Sequence, residues 1–329
     1  MVSKVPGIKG VTDEAQFAFL SDLQGVYDAS PKLHSQLTGS AARMSRKGLV
    51  VSAFNSFEGF IKSRFKELSD CVEGYNKGHL LFENIPEKTQ KDILGHVLKV
   101  SANYVGGINN DTDLNDVMPR MNDVGSFLAH SSSRRLFSET IGWWSRSNIS
   151  VEEIFQLLKR MRVKDPTAIL ALLLSHFRSL RKDKVKEFIK YRIDMRHKAA
   201  HESTYDCKNF ELDDHVLDLR ALAFAIDILS TTAASLLACG DGVFFQKELH
   251  ITEDNFSRHW EIIPRDVDYA AYKVLGVNAS LGSGQAYRVD RDLPVLISVV
   301  KKYWKKGEYI AIKDKSGQVD WWIPWSCWS

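Results

Sequence analysis

The chain has 329 residues, 44% of them hydrophobic and 26% charged, with a formal charge of +3 at pH 7. Such a composition belongs to a globular protein with a real core, either two modest domains or one domain with additions, and excludes a disordered or fibrous chain. The net charge is too small to announce nucleic-acid binding, so any electrostatic argument must rest on where the cations cluster.

The first 40 residues hold a short amphipathic patch, Phe17, Phe19, Leu20 and Leu23, and then a Ser/Pro/Gly-containing stretch ending at Gly39-Ser40. They read as a peripheral helical arm, residues 1–40. From about Ala41 to Tyr75, Val50, Phe54, Phe57, Ile61, Phe65 and Leu68 recur at steps of three and four, which is one face of a long helix. This is the first major core helix. A second is expected from Glu87 to Tyr104, opened by Pro86, with Gly106-Gly107 and the Asn/Asp-rich run to Asp116 as a loop. Farther on, Ser150 with Glu153 offers a capping box, and Asp165-Pro166 a cap and first turn. Two short helices therefore precede the basic region.

Between Arg178 and Lys198 there are nine Lys/Arg and three Asp/Glu, a larger positive excess than that of the whole chain. A polar loop follows His201, and Asp213-Asp214 acidify the start of a long helix that carries Val216, Leu219, Ala223, Ile226 and Leu229 as a stripe and ends near Gly240. From Asp241 the character changes. Six of the eight Trp fall in this tail, and Tyr309 to Ile323 reads as strand, Lys315-Ser316-Gly317 turn, strand. The fold class is mainly α, with a small C-terminal appendage, residues 241–329, that is α+β or mainly β.

Cys71, Cys207, Cys239 and Cys327 lack CxxC pairing, which disfavours a zinc site and a disulfide framework alike. The opening residues lack the pattern of a secretory signal, and no apolar run reaches 18 residues. A cytoplasmic protein that does not enter a membrane is expected.

The stretch Arg196-His197-Lys198-Ala199-Ala200-His201 carries the chemistry. RNA contains its own nucleophile, the 2′-hydroxyl. Cleaving it requires a proton carrier that works near neutral pH, as imidazole does, and a fixed positive charge for the phosphate in the transition state. His201 and Arg196 supply these groups without a metal or cofactor, and none is expected. At about 100° per residue, however, positions five apart lie roughly 140° around a helix, so the two do not share a face of a straight one. Either His201 sits where the helix frays, or the two groups meet from different chains. The i,i+4 neighbours are His197 with His201, and Lys198 with Glu202, which could clamp each other. A metal at the His197–His201 pair would have Glu202, His215 or Cys207 as its third donor, and the expectation is no metal site.

Arg, four residues and His, placed just before a polar loop and a final long helix, resemble the RX4-6H motif of the HEPN superfamily. The run Phe54-Asn55-Ser56-Phe57-Glu58-Gly59-Phe60-Ile61-Lys62 is similar to the first-helix pattern of a prokaryotic branch near the RiboL-PSP and MAE-type groups. The resemblance covers about Ala41 to Gly240. It implies a HEPN-type helical bundle, residues 41–240, that dimerises with two motifs facing across a cleft, and in active members a metal-independent endoribonuclease of toxin or antiviral-defence type. One departure concerns the residue after the Arg, often Asn or Asp in active members and His197 here; an imidazole can make some of the same hydrogen bonds.

On this reading Arg196, His201, His197 and Glu58 form the catalytic set, while Lys198, Arg192, Lys190 and Lys186 contact RNA. Glu58, on or beside the apolar face of its helix, either orients Arg196 or His201 or pairs with Lys62 at i,i+4. In the tail, Arg288, Arg291, Lys301, Lys302, Lys305 and Lys306 interleave with Tyr287, Tyr303 and Trp304, a pattern suited to stacking beside phosphate contacts. Trp321, Trp322, Trp325 and Trp328 read as core or interface. The expected partners are RNA, a second copy of the chain, and an antitoxin or defence-system protein. The alternative is a non-catalytic HEPN module that holds RNA or a partner protein.

Overall fold

The computed structural model describes residues 14–75, 87–106, 114–129, 149–175, 177, 180–239, 252, 261–264, 310–313 and 319–322. In chain order these form α1 (Glu14–Gln36), α2 (Gly39–Tyr75), α3 (Glu87–Gly106), α4 (Leu114–Ala129), α5 (Val151–Arg160), α6 (Pro166–Leu174), α7 (Val185–His201) and α8 (Asn209–Cys239). Three four-residue strands follow: β1 (Glu261–Pro264), β2 (Ile310–Lys313) and β3 (Val319–Trp322). The protein is mainly α, and no described helix is long and apolar enough to cross a membrane.

The core is built on α2 and α8. Val50, Phe54, Phe57, Ile61, Phe65 and Leu68 of α2 are all buried, as their spacing predicts. From Leu219 to Ala234 every side chain of α8 is buried, so this helix is enclosed on all sides rather than amphipathic. Arg64 meets Asp227 at one end of the pair, and His215 lies against the Val50 backbone at the other, so α2 and α8 run parallel. The polar loop after His201 brings α7 back antiparallel to α8, with Arg192 paired to Asp218.

The N-terminal segment departs from a peripheral arm. Phe19, Leu20, Leu23 and Val26 of α1 are buried, Phe19 stacks on Phe60 with ring centroids 4.9 Å apart, and Ser56 donates to Asp22 over 2.8 Å. The helix is part of the bundle core. Only Phe17 of the predicted patch stays substantially exposed. In α4, residues 114–116 are helical where the Asn/Asp-rich run predicted a loop, and the helix continues through Pro119.

Local signals set the short helices. Ser150 accepts from the Glu153 amide, and Glu153 accepts from the Ser150 amide, which completes the capping box of α5. Asp165 accepts from the Ala168 amide, with Pro166 in the first turn of α6. Between the two, Arg162 takes φ 64°, and the Val163 and Arg162 amides donate to the Leu158 and Lys159 carbonyls. This is a Schellman end with buried Leu158 and Val163 at its closing positions and Arg where Gly is usual.

In the tail, β1 pairs parallel with β2 and β2 antiparallel with β3. The β2–β3 pairing has the order expected of the Tyr309–Ile323 hairpin, whose turn lies outside the described residues. Trp322 of β3 is fully buried in the helical body, edge-on to Phe60 and Phe224. Its Nε1 donates to Asp227 Oδ2 over 2.7 Å, and its carbonyl accepts from Gln16 Nε2 over 2.9 Å. Arg64 Nε lies 2.9 Å from Asp227 Oδ1. Burial holds the Asp227 carboxyl above its ordinary range against the opposing pull of Arg64 and Trp322.

Candidate functional site

The inward face of α7 carries Val185, Ile189, Arg192, Met195 and Ala199, all buried. At 100° per residue, Lys186, Lys190, His197 and His201 fall within about 60° of one another on another face and span roughly 22 Å of helix. All four are exposed. They form one stripe of two cations and two imidazoles.

Arg196 lies elsewhere. It is half-buried, and its Nε is buried with no hydrogen-bond partner, whereas His201 is exposed at the last turn. The helix is continuous through both residues, so the divergence expected from their spacing holds within one chain. His197 and His201 do come together, with ring centroids 4.7 Å apart and planes inclined by 55°. Lys198 is exposed and has no acidic partner among the described residues. Glu202 closes the helix through its backbone, its amide donating to the Lys198 carbonyl over 2.9 Å, and no ion pair forms between the two side chains.

A second set of cations approaches the same end from α2. Arg46 Nε donates to the Cys207 carbonyl over 2.6 Å and its Nη2 to Asp206 over 2.7 Å, while Lys47 Nζ donates to the Glu202 carbonyl over 2.6 Å. Hydrogen bonding from Arg46 lowers the Asp206 carboxyl below its ordinary range. Arg43 Nε is buried and unpartnered. The sequence reading missed this group, although Arg43, Arg46 and Lys47 stand at the i, i+3, i+4 spacing of one helix face. Lys208 N donates to Glu211 Oε2 over 2.6 Å, tying the end of the loop to the first turn of α8.

Several expected site residues take other places. Glu58 is buried, and its Oε1 accepts from the Ile149 amide over 3.0 Å and from Lys62 over 2.6 Å. It joins α2 to the start of α5 and does not orient Arg196 or His201. Arg192 is buried against Asp218 and lies over the Tyr191 and Phe188 rings, so its charge is directed into the α7–α8 interface instead of outward to a phosphate. Lys186 sits 5.3 Å from the centroid of the Phe155 ring.

Of the suggested third metal donors, Cys207 and His215 are fully buried, while Glu202 is exposed like His201. Burial pushes the Cys207 thiol up to about 11, the opposite of what a reactive thiolate needs. Burial, aided by the Arg192 charge, pushes His215 down to about 3. Among the described residues no group of three His, Cys, Asp or Glu could hold a metal ion. The cationic and aromatic tail residues between Tyr287 and Lys306 lie outside the described residues, as do Trp325 and Trp328.

No family model, curated protein or solved structure matches the chain.

Proposed function

We propose that this chain is a cytoplasmic, metal-independent HEPN-type endoribonuclease that works as a homodimer in a toxin or antiviral-defence role. The observation that carries the reading is the exposed stripe of α7, where His201 stands at the end of a line formed by Lys186, Lys190 and His197. A basic helix face can track a phosphate backbone, and an imidazole at its end can move the 2′-hydroxyl proton. Arg196 stabilises the phosphorane-like charge, with His197 and Lys198 assisting; cleavage leaves 2′,3′-cyclic phosphate and 5′-hydroxyl ends. Because Arg196 and His201 diverge on one helix, the complete site needs the His201 of one protomer facing the Arg196 of the other.

The test is cleavage of mixed RNAs in EDTA, with Arg196→Ala and His201→Ala alongside. Each substitution should lower cleavage by about 10²–10⁴-fold. Loss of wild-type cleavage in EDTA overturns the metal-independent mechanism, and a chain that stays monomeric at micromolar concentration overturns the paired site. A second reading, a non-catalytic module that holds RNA or a partner protein, is favoured by the half-buried setting of Arg196. RNA binding without cleavage by the wild type selects it.

A further inference from the structure

We propose that His197 and His201 form a two-imidazole clamp for a borderline divalent transition-metal ion, Zn²⁺ being the probe of choice, and that filling the clamp blocks the proton-carrying role of His201. The first half stands on geometry alone. The second rests on the nuclease reading.

A Zn–N bond is about 2.0–2.1 Å, which places the metal about 3.2 Å from the centre of each coordinating imidazole ring. Two rings with centroids 4.7 Å apart would subtend roughly 95° at a shared metal once a nitrogen of each is turned toward it, between square and tetrahedral geometry. The separation of the rings is compatible with one shared ion, and both are exposed, so a metal can enter from solvent and keep open positions for water. Imidazole is a suitable donor for Zn²⁺, Ni²⁺ and Cu²⁺, and disfavours Mg²⁺ or Ca²⁺.

The charges nearby have mixed signs. Asp194, exposed three residues before His197, lies within about 60° of both imidazoles around the helix axis, whereas Lys198 is offset by about 60–100°. His201 also lies in the last turn of α7, where the carbonyl end of a helix favours a cation. Lys47 satisfies part of that end, donating to the Glu202 carbonyl. This two-donor arrangement differs from the three-ligand site that Glu202, Cys207 or His215 would have completed. Its expected role is inhibition: a ring nitrogen of His201 bound to metal cannot take or give a proton.

The clamp is tested by calorimetric titration of the untagged full chain with ZnCl₂ in phosphate-free buffer, beside His197→Ala and His201→Ala. Both side chains are exposed, so neither substitution threatens the fold. Changes in outer-shell partners alone cost about 10–100-fold in metal affinity, so losing either ligand should weaken one equivalent of Zn²⁺ by at least about tenfold. Wild-type Zn²⁺ binding in either variant overturns the clamp. Cleavage of RNA by the wild type should fall as that equivalent fills and return on adding EDTA. Undiminished cleavage with the clamp filled overturns the blocking role and the assignment of His201 as proton carrier, while a chain that cleaves no RNA removes the nuclease reading and leaves the titration to decide the clamp.

Discussion

His215 shows how one residue can make the stability of this protein depend on pH. Its ring is fully buried, and burial lowers its pKa from 6.5 to about 3 against the opposing pull of the Val50 backbone. The neutral form is favoured in the folded state, so its contribution is fully present above pH 6.5 and is lost progressively as the pH falls through about 3. His215→Leu gives up the interaction with the Val50 backbone and should cost about 0.5–1.5 kcal/mol at pH 7.5. Denaturation midpoints measured from pH 7.5 down to 4 should then fall less steeply in the variant; equal slopes would exclude His215 as the source. Glu58 gives a second residue-scale expectation. Glu58→Ala leaves the buried Ile149 amide without its acceptor and should lose about 1–3 kcal/mol, read by thermal unfolding, because an unsatisfied buried donor bears its desolvation cost in full.

At the scale of elements, the helix ends are fixed by short-range chemistry and the helix positions by long-range pairs. Ser150→Ala removes one of the two reciprocal bonds of the α5 capping box and should destabilise the protein by about 1 kcal/mol in urea unfolding, whereas Ser150→Asn should retain most of the cap. The placement of α7 depends on different forces. Arg192 and Asp218 bind it to α8, and Arg46 and Lys47 hold the loop that follows it. These contacts fix which face of α7 remains exposed, and so which of its titratable groups solvent or RNA can reach.

The first and last described elements of the molecule are joined. Gln16 of α1 and Trp322 of β3 are hydrogen-bonded although 306 residues apart in sequence, and Trp322 inserts between Phe60 and Phe224 to reach Asp227. A tail anchored in this way couples to the stability of the helices. Trp322→Ala should cost about 3–5 kcal/mol from lost packing, and Trp322→Phe about 1–3 kcal/mol from the donor withdrawn from Asp227. Guanidinium unfolding followed by far-ultraviolet circular dichroism measures both. A Trp322→Ala midpoint equal to wild type would show that β3 does not dock on the bundle in solution.

Periodicity and caps in the sequence by themselves determined the mainly α class, the buried face of α2, the capped starts of α5 and α6, and the order of the β2–β3 pair, because each depends on residues a few positions apart. Spacing alone also determined that Arg196 and His201 point different ways, since helix geometry permits nothing else on a straight α7. Only the tertiary structure decided that α1 belongs in the core, that Arg192 and Glu58 face inward to Asp218 and Ile149, and that Arg43, Arg46 and Lys47 gather at the end of α7. Those outcomes depend on pairs such as Arg46–Cys207 and Arg192–Asp218, separated by 161 residues in the first case and brought together only when the helices pack. A charged residue near an apolar face looks the same in sequence whether it lines a cleft or pairs inside the core, and the packed neighbour determines which.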